Sequence, residues 1–126
     1  LPVNCDIETP QSLEITGGDL PNDGILQALD TGIFISNLWY SNFSDRNHCR
    51  ITGMTRFASL WVENGRIVAP LNVMRFDETL YNILGENLIA LTQDTEHIFD
   101  ASTYERRSES SSRLPGALVE DFNLTL

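Results

Sequence analysis

Lysine is absent from this chain: all eight basic residues are arginine, and they face 18 acidic residues for a formal net charge of −10 across 126 residues. Recognition of nucleic-acid phosphates needs clustered Lys and Arg, so this balance argues against nucleic-acid binding. It argues equally against docking on anionic membrane surfaces. Long apolar runs are missing too; none approaches the roughly 20 residues that span a bilayer. The first residues carry no basic patch followed by an apolar stretch, so no secretory signal is visible. There is no initiator Met, which reads as a trimmed chain. Cysteine is scarce. Cys5 and Cys49 make no disulfide framework by themselves, and without a secretory signal they read as reduced thiols in a cytoplasmic protein, a Cys5–Cys49 bridge being the lesser alternative.

Sites of recognisable chemistry are equally few. Of metal motifs there is no HExxH, no CxxC and no HxH. His48 and Cys49 are adjacent, which on a strand sends them to opposite faces and suits one ion poorly. His97 beside Glu96 has the types for an acid/base pair, but such a residue at a loop edge is more often solvated. No G-x-S-x-G elbow supports a serine nucleophile, and the serines of "SESSSR" read as loop solvation. "TGG" and "TGM" are too short for a phosphate cradle. Glu120 and Asp121 are neighbours on an extended segment and face two ways, so they cannot flank one bond. The glycosylation patterns at Asn42 and Asn123 are short enough to occur by chance. The residues therefore supply no catalytic, cofactor-binding or metal-ligating set. A hydrolase built on Cys49 and His97 is the weakest reading, because no orienting third group accompanies them.

What is present is architecture. Apolar residues make up 41% of the chain, ordinary for a globular protein, and the length suits one domain over residues 1–126. "NCDIETPQSLEIT" reads as an extended segment broken by Pro10. "GGDLPNDGILQALDTG" reads as a loop and a short helix, with Asp19 or Asn22 as cap, Ile25, Leu26 and Leu29 on one face, and Gly32 closing it. "IFISNLWYSNF" predicts a buried strand. "RITGMTRFASLWVE" is a further strand, with Gly53 marking a bulge or kink. Asn64-Gly65 predicts a type I′ turn, in which both central residues need positive φ. The return strand "RIVAPLNVM" ends at Pro70 or runs along an edge. Leu80, Ile83, Leu84, Leu88 and Leu91 fall at helical spacing and predict a second helix capped by Asp77. "TEHIFDASTYERRSESSSRLPG" has no sustained period and reads as a mobile surface loop, followed by a last strand through "ALVEDFNLTL". The sum is an α+β fold, a largely antiparallel sheet of barrel-like or sandwich-like form with two short helices. Trp39, Tyr40, Trp61 and Phe76 are expected in the core, or else against a partner.

Four segments in order resemble the C-terminal domain of the TldD/PmbA family, the modulator-of-gyrase or peptide-maturation proteases. They are "ILQALDTGIFISNLWY", "ITGMTRFASLWVENGRIVAPLNVMRF" with its E-N-G turn, "ETLYNILGENLIAL" and "LPGALVEDFNLTL", which together cover most of residues 20–126. The resemblance implies a fragment of a longer protein whose other half, in catalytic members, carries zinc on an HExxxH helix that this chain lacks. Those members also place a cysteine in the loop before the last strand; here that loop, Asp100 to Arg113, has none. The implied role is a non-catalytic part in proteolysis or maturation of peptides. No cofactor is expected in this chain. The implied partners are a peptide or unfolded-protein substrate and a homo- or hetero-oligomer, with no nucleic acid and no membrane. The rival reading is a stand-alone acidic protein-interaction module that pairs through an exposed strand edge.

Overall fold

The computed structural model describes residues 12–101, 103, 107 and 110–125. Among these residues eight strands form two sheets. The larger holds β2 (Gly32–Asp45), β3 (Arg50–Glu63), β4 (Arg66–Pro70), β5 (Arg75–Thr79) and β8 (Leu124–Thr125). β2 lies on one side of β3; β4 and β5 share the other side, β4 against Leu60–Glu63 and β5 against Arg50–Met54. β8 continues the sheet beyond β5. The smaller sheet runs in the order β1 (Ser12–Glu14), β7 (Ser111–Val119) and β6 (Leu88–Phe99). All pairings between strands are antiparallel except β1 with β7. The sheets share no strand and do not close, so of the two expected forms the α+β fold takes the sandwich-like one.

Among the described residues helix is confined to two short pieces. A 3-10 turn, Asn22–Gly24, leads into α1 (Ile25–Leu29). Neither Asp19 nor Asn22 caps it; the Asn22 Oδ1 instead accepts a bond from the Asp94 amide at 3.2 Å. The helix closes on Asp30, at φ 56°, and Gly32 already belongs to β2. The second piece is a single π-turn, Asn82–Glu86. The expected helix over Leu80–Leu91 is cut to this one turn, which ends at Glu86 just past Gly85. Asp77, its supposed cap, sits in β5 opposite Thr52, and Leu88 starts β6 opposite Val119. The expected last strand is also two: β7 ends at Val119, Asp121 turns the chain at φ 51°, and β8 joins the other sheet. Other readings hold. Asn64 and Gly65 have φ 50° and 71°, as a type I′ turn requires, and β4 is an edge strand ending at Pro70. The loop expected over Thr95–Gly116 is shorter than that: β6 runs on to Phe99 and β7 begins at Ser111, because the two strands pair along these ends; the stretch around Cys5 and Pro10 lies outside the described residues.

The core is small and belongs to the larger sheet. Val62 and Phe76 are both 0% exposed. Thr55, Ser59 and Glu78 are buried beside them, and Phe122 packs its ring 5.6 Å from that of Phe76. Gly53 is where β3 must let Phe76 in: a Cβ there would stand 2.8 Å from the Phe76 ring and 2.9 Å from the Trp39 carbonyl oxygen. In the smaller sheet Thr92 holds a wide irregularity of the β6–β7 ladder. Its hydroxyl accepts from the Gly116 amide at 2.8 Å and donates to the Asp94 carbonyl at 2.9 Å.

Candidate interaction surface

β2 and β3 form a long hairpin within the larger sheet, closed by the turn Arg46–Cys49. Two bulges in it turn aromatic side chains outward. In the first, Phe57 and Ala58 of β3 stand opposite Ser36 alone. The Ser36 hydroxyl accepts from the Ala58 amide at 3.0 Å and donates to the Arg56 carbonyl at 3.4 Å, which holds the extra residue in place. Phe57 takes φ 62° and is 78% exposed. In the second, Tyr40 and Ser41 of β2 stand opposite Gly53, and Tyr40 takes φ 56° and is 67% exposed. Bulky residues avoid this region of φ, at a cost of about 1–3 kcal/mol each. Arg56 ties the two together: its guanidinium lies 4.0 Å from the Trp39 ring centroid and 5.5 Å from that of Phe57. Trp39 in turn stands 5.3 Å from Tyr40. Leu38 and Phe43 add further exposed apolar surface.

So β2 is a strand, as its composition predicts, but it is not buried along its length. Of the four aromatics expected inside, Phe76 is buried, Trp61 is half-buried with its Nε1 donating to the Glu63 Oε1 at 2.8 Å, and Trp39 and Tyr40 are exposed. A cleft of about 290 Å³ opens between this strand and the smaller sheet, lined among others by Ile33, Leu38, Ile83, Leu118 and Phe122.

The candidate chemical groups do not come together. His48 Nδ1 pairs with Asp45 Oδ2 at 2.7 Å, and this bond is the main reason the Asp45 carboxyl is held below its ordinary value. Cys49 follows at φ 49° with a free, half-buried thiol. His97 lies on β6 opposite Arg113 and stacks 4.2 Å from Phe99, while Glu96 faces the other way. Arg50 binds the Asp77 Oδ1 at 2.7 Å, which raises the guanidinium's already high affinity for its proton. No group of three His, Cys, Asp or Glu converges among the described residues, so these residues do not fit zinc. No helix among them is long and apolar enough to cross a membrane. The sequence reading missed Ser36, Arg56 and Phe57, whose role depends on a register no local pattern reveals.

The family model of the PmbA/TldA metallopeptidase C-terminal domain matches residues 7–126. The chain belongs to this family. Among solved structures, TldE from Thermococcus kodakarensis superposes with a TM-score of 0.70 at 13% identity, over 91% of this chain. The chain spans 24% of the TldE chain. No curated protein sequence matches it.

Proposed function

We propose that this chain serves as the non-catalytic C-terminal portion of a TldD/PmbA-like cytoplasmic protein that takes part in the proteolysis or maturation of peptides. It supplies a wall of the substrate chamber and contacts between subunits. The supporting observation is the β2–β3 hairpin: Tyr40 and Phe57 hold strained backbone and face outward, around a Trp39–Arg56 stack. Strain of that kind persists where an exposed group has a use, and large exposed apolar surface marks contact sites. The long open edge of β2 also favours a second reading, an acidic interaction module with no part in catalysis.

The test uses the longer protein that the first reading requires, supplied with zinc and an unstructured peptide. Cleavage is expected to fall at least tenfold in a Tyr40→Ser, Phe57→Ser double variant that still folds. The isolated chain should cleave nothing. Full activity in the double variant, or cleavage by the isolated chain, overturns the proposal; a longer protein without any peptidase activity favours the interaction module.

A further inference from the structure

Asn64 is the one asparagine in the chain that a glycine follows. Besides fitting a tight turn, this pair has a chemistry of its own. The backbone nitrogen after an asparagine can attack the side-chain amide carbon, and glycine, with no side chain, hinders that approach least. Here the pair is held against a second segment. The corner Asp30–Thr31, between α1 and β2, bonds to both residues of the turn. The Gly65 amide donates to the Asp30 carbonyl at 2.7 Å, and the Asn64 amide donates to the Thr31 Oγ1 at 3.2 Å. Asp30 takes φ 56° where it presents that carbonyl. The Gln27 side chain covers the Gly65 α-carbon, so that an added Cβ would stand 2.8 Å from its Nε2. Gly65 is buried, whereas Asn64 is exposed. The carbon open to attack therefore lies toward solvent, and the nitrogen that would attack it does not. An amide nitrogen becomes a nucleophile only on losing its proton. Gly65 keeps that proton on a carbonyl oxygen, away from the hydroxide that would take it.

We propose that Asn64 is a deamidation site that the Asp30–Thr31 corner keeps latent. When the corner lifts from the turn, the Gly65 amide gives its proton to hydroxide and its nitrogen bonds to the Asn64 Cγ. The bond from Cγ to Nδ2 breaks, and that nitrogen leaves as ammonia with a proton from water, which returns the hydroxide. The cyclic succinimide then takes up water at either carbonyl carbon and opens to aspartate or isoaspartate. Water is the only co-reactant. Either product adds a negative charge beside the exposed Glu63, in a chain already at −10. Isoaspartate also adds a methylene to the backbone between Glu63 and Arg66, which face each other across the turn. A two-residue turn has no room for it, so the modified hairpin does not return to the corner. The change is one-way, and it marks chains in which this contact has opened locally.

The test incubates the chain at mildly alkaline pH, once folded and once in concentrated guanidinium. Peptide-mapping mass spectrometry that separates isoaspartate from aspartate follows Asn64. In the denatured chain Asn64 should deamidate faster than any other asparagine, with isoaspartate among the products. In the folded chain its rate should be lower by about tenfold or more, because only locally opened chains react. Thr31→Ala removes one of the two bonds and should raise the folded rate about three- to tenfold, with circular dichroism confirming the fold. Gln27→Ala uncovers Gly65 without touching either bond and should move the rate the same way. A folded chain that reacts as fast as the denatured one overturns the proposal. So does an Asn64 that stays intact when denatured, a product free of isoaspartate, or a pair of variants both no faster than the parent. None of these readouts involves cleavage, so they stand or fall apart from the peptide-maturation reading.

Discussion

Glu78 is a buried carboxylate, 5% exposed, that ties three segments of the chain together. Its Oε1 accepts from the Thr79 amide at 2.7 Å and from the Asn82 side chain at 2.9 Å. Its Oε2 accepts from the Asn123 amide at 3.3 Å, and Asn123 returns a bond to the Asp77 carbonyl at 2.8 Å. Every contact presents a donor, so both oxygens are needed. Glu78→Gln puts an amide nitrogen against one of these donors and should cost about 1–3 kcal/mol, read as a lower denaturation midpoint at unchanged m-value. A midpoint unchanged by the substitution would show that the carboxylate is not what holds these segments. Asp45 makes a pH-dependent case at the same scale. Its carboxyl is lowered below the ordinary 3.8, first by the bond to His48, which outweighs the opposing effect of desolvation, and then by the Asn47 and His48 amides. A lowered folded-state value stabilises the fold above the ordinary value, and that contribution is lost as pH falls through the lowered one. Titration of the Asp45 carboxyl by NMR should give a midpoint below 3.8, moving up in His48→Ala; an equal midpoint in both proteins would remove His48 as the cause.

The hairpin of β3 and β4 shows how much an element can reveal of itself. Its turn was legible because Asn64-Gly65 needs positive φ at both residues, a demand local to two positions. The structure adds a tertiary reason. Gly65 is buried, its amide donates to the Asp30 carbonyl at 2.7 Å, and a Cβ would stand 2.8 Å from the Gln27 side chain. Gly65→Val should therefore cost about 1–2 kcal/mol from backbone strain alone, with contact against Gln27 adding to it. A thermal melt identical to the parent's would dissociate the turn from the stability of the hairpin. Over Leu80–Leu91 the helix reads longer than it is, for the opposite reason. The leucines of "LYNILGENLIAL" do repeat at helical spacing, but Gly85 and Asn87 weaken a helix there, and the partner of β6 begins more than twenty residues further on. The β6 ladder is also irregular between Leu88 and Ala90 and between Leu91 and Thr95, which erases the alternation that would have marked a strand. The end of the chain failed similarly: Leu118, Phe122 and Leu124 alternate, yet the bend at Asp121 divides them between two sheets. The outward aromatics were legible as bulk and not as surface. Nothing in "IFISNLWY" or "TRFASL" tells that Ser36 opposes two residues or that Tyr40 begins a bulge.

Across the whole molecule the chain passes between the two sheets three times. It leaves β1 through α1 for β2, returns at the π-turn to β6, and crosses back between Glu120 and Asn123 to β8. The sheets are thus linked by connection, but their interiors are unequal. Thr55, Ser59 and Val62 on β3 and Phe76 and Glu78 on β5 are buried, whereas in the smaller sheet only Thr92 reaches that state among the described residues. β3 is also flanked on both sides, by β2 and by β4 and β5, while β6 has only β7 and a short contact with the segment Gly18–Leu20. Ile89, Ile98 and Phe99 on β6 stay exposed, and apolar area left in water contributes nothing to holding their strand. Local opening is easiest where few apolar groups are buried and backbone bonds lie near solvent. Amide hydrogen exchange should therefore be slowest in residues 55–62 and 76–78, and at least tenfold faster in 88–99 and 111–119, a gap of about 1.4 kcal/mol in opening free energy. Equal protection in the two regions would mean that the chain opens as one unit despite its lopsided core, and that the three crossings, not the burial of Phe76 and Val62, set its cooperativity.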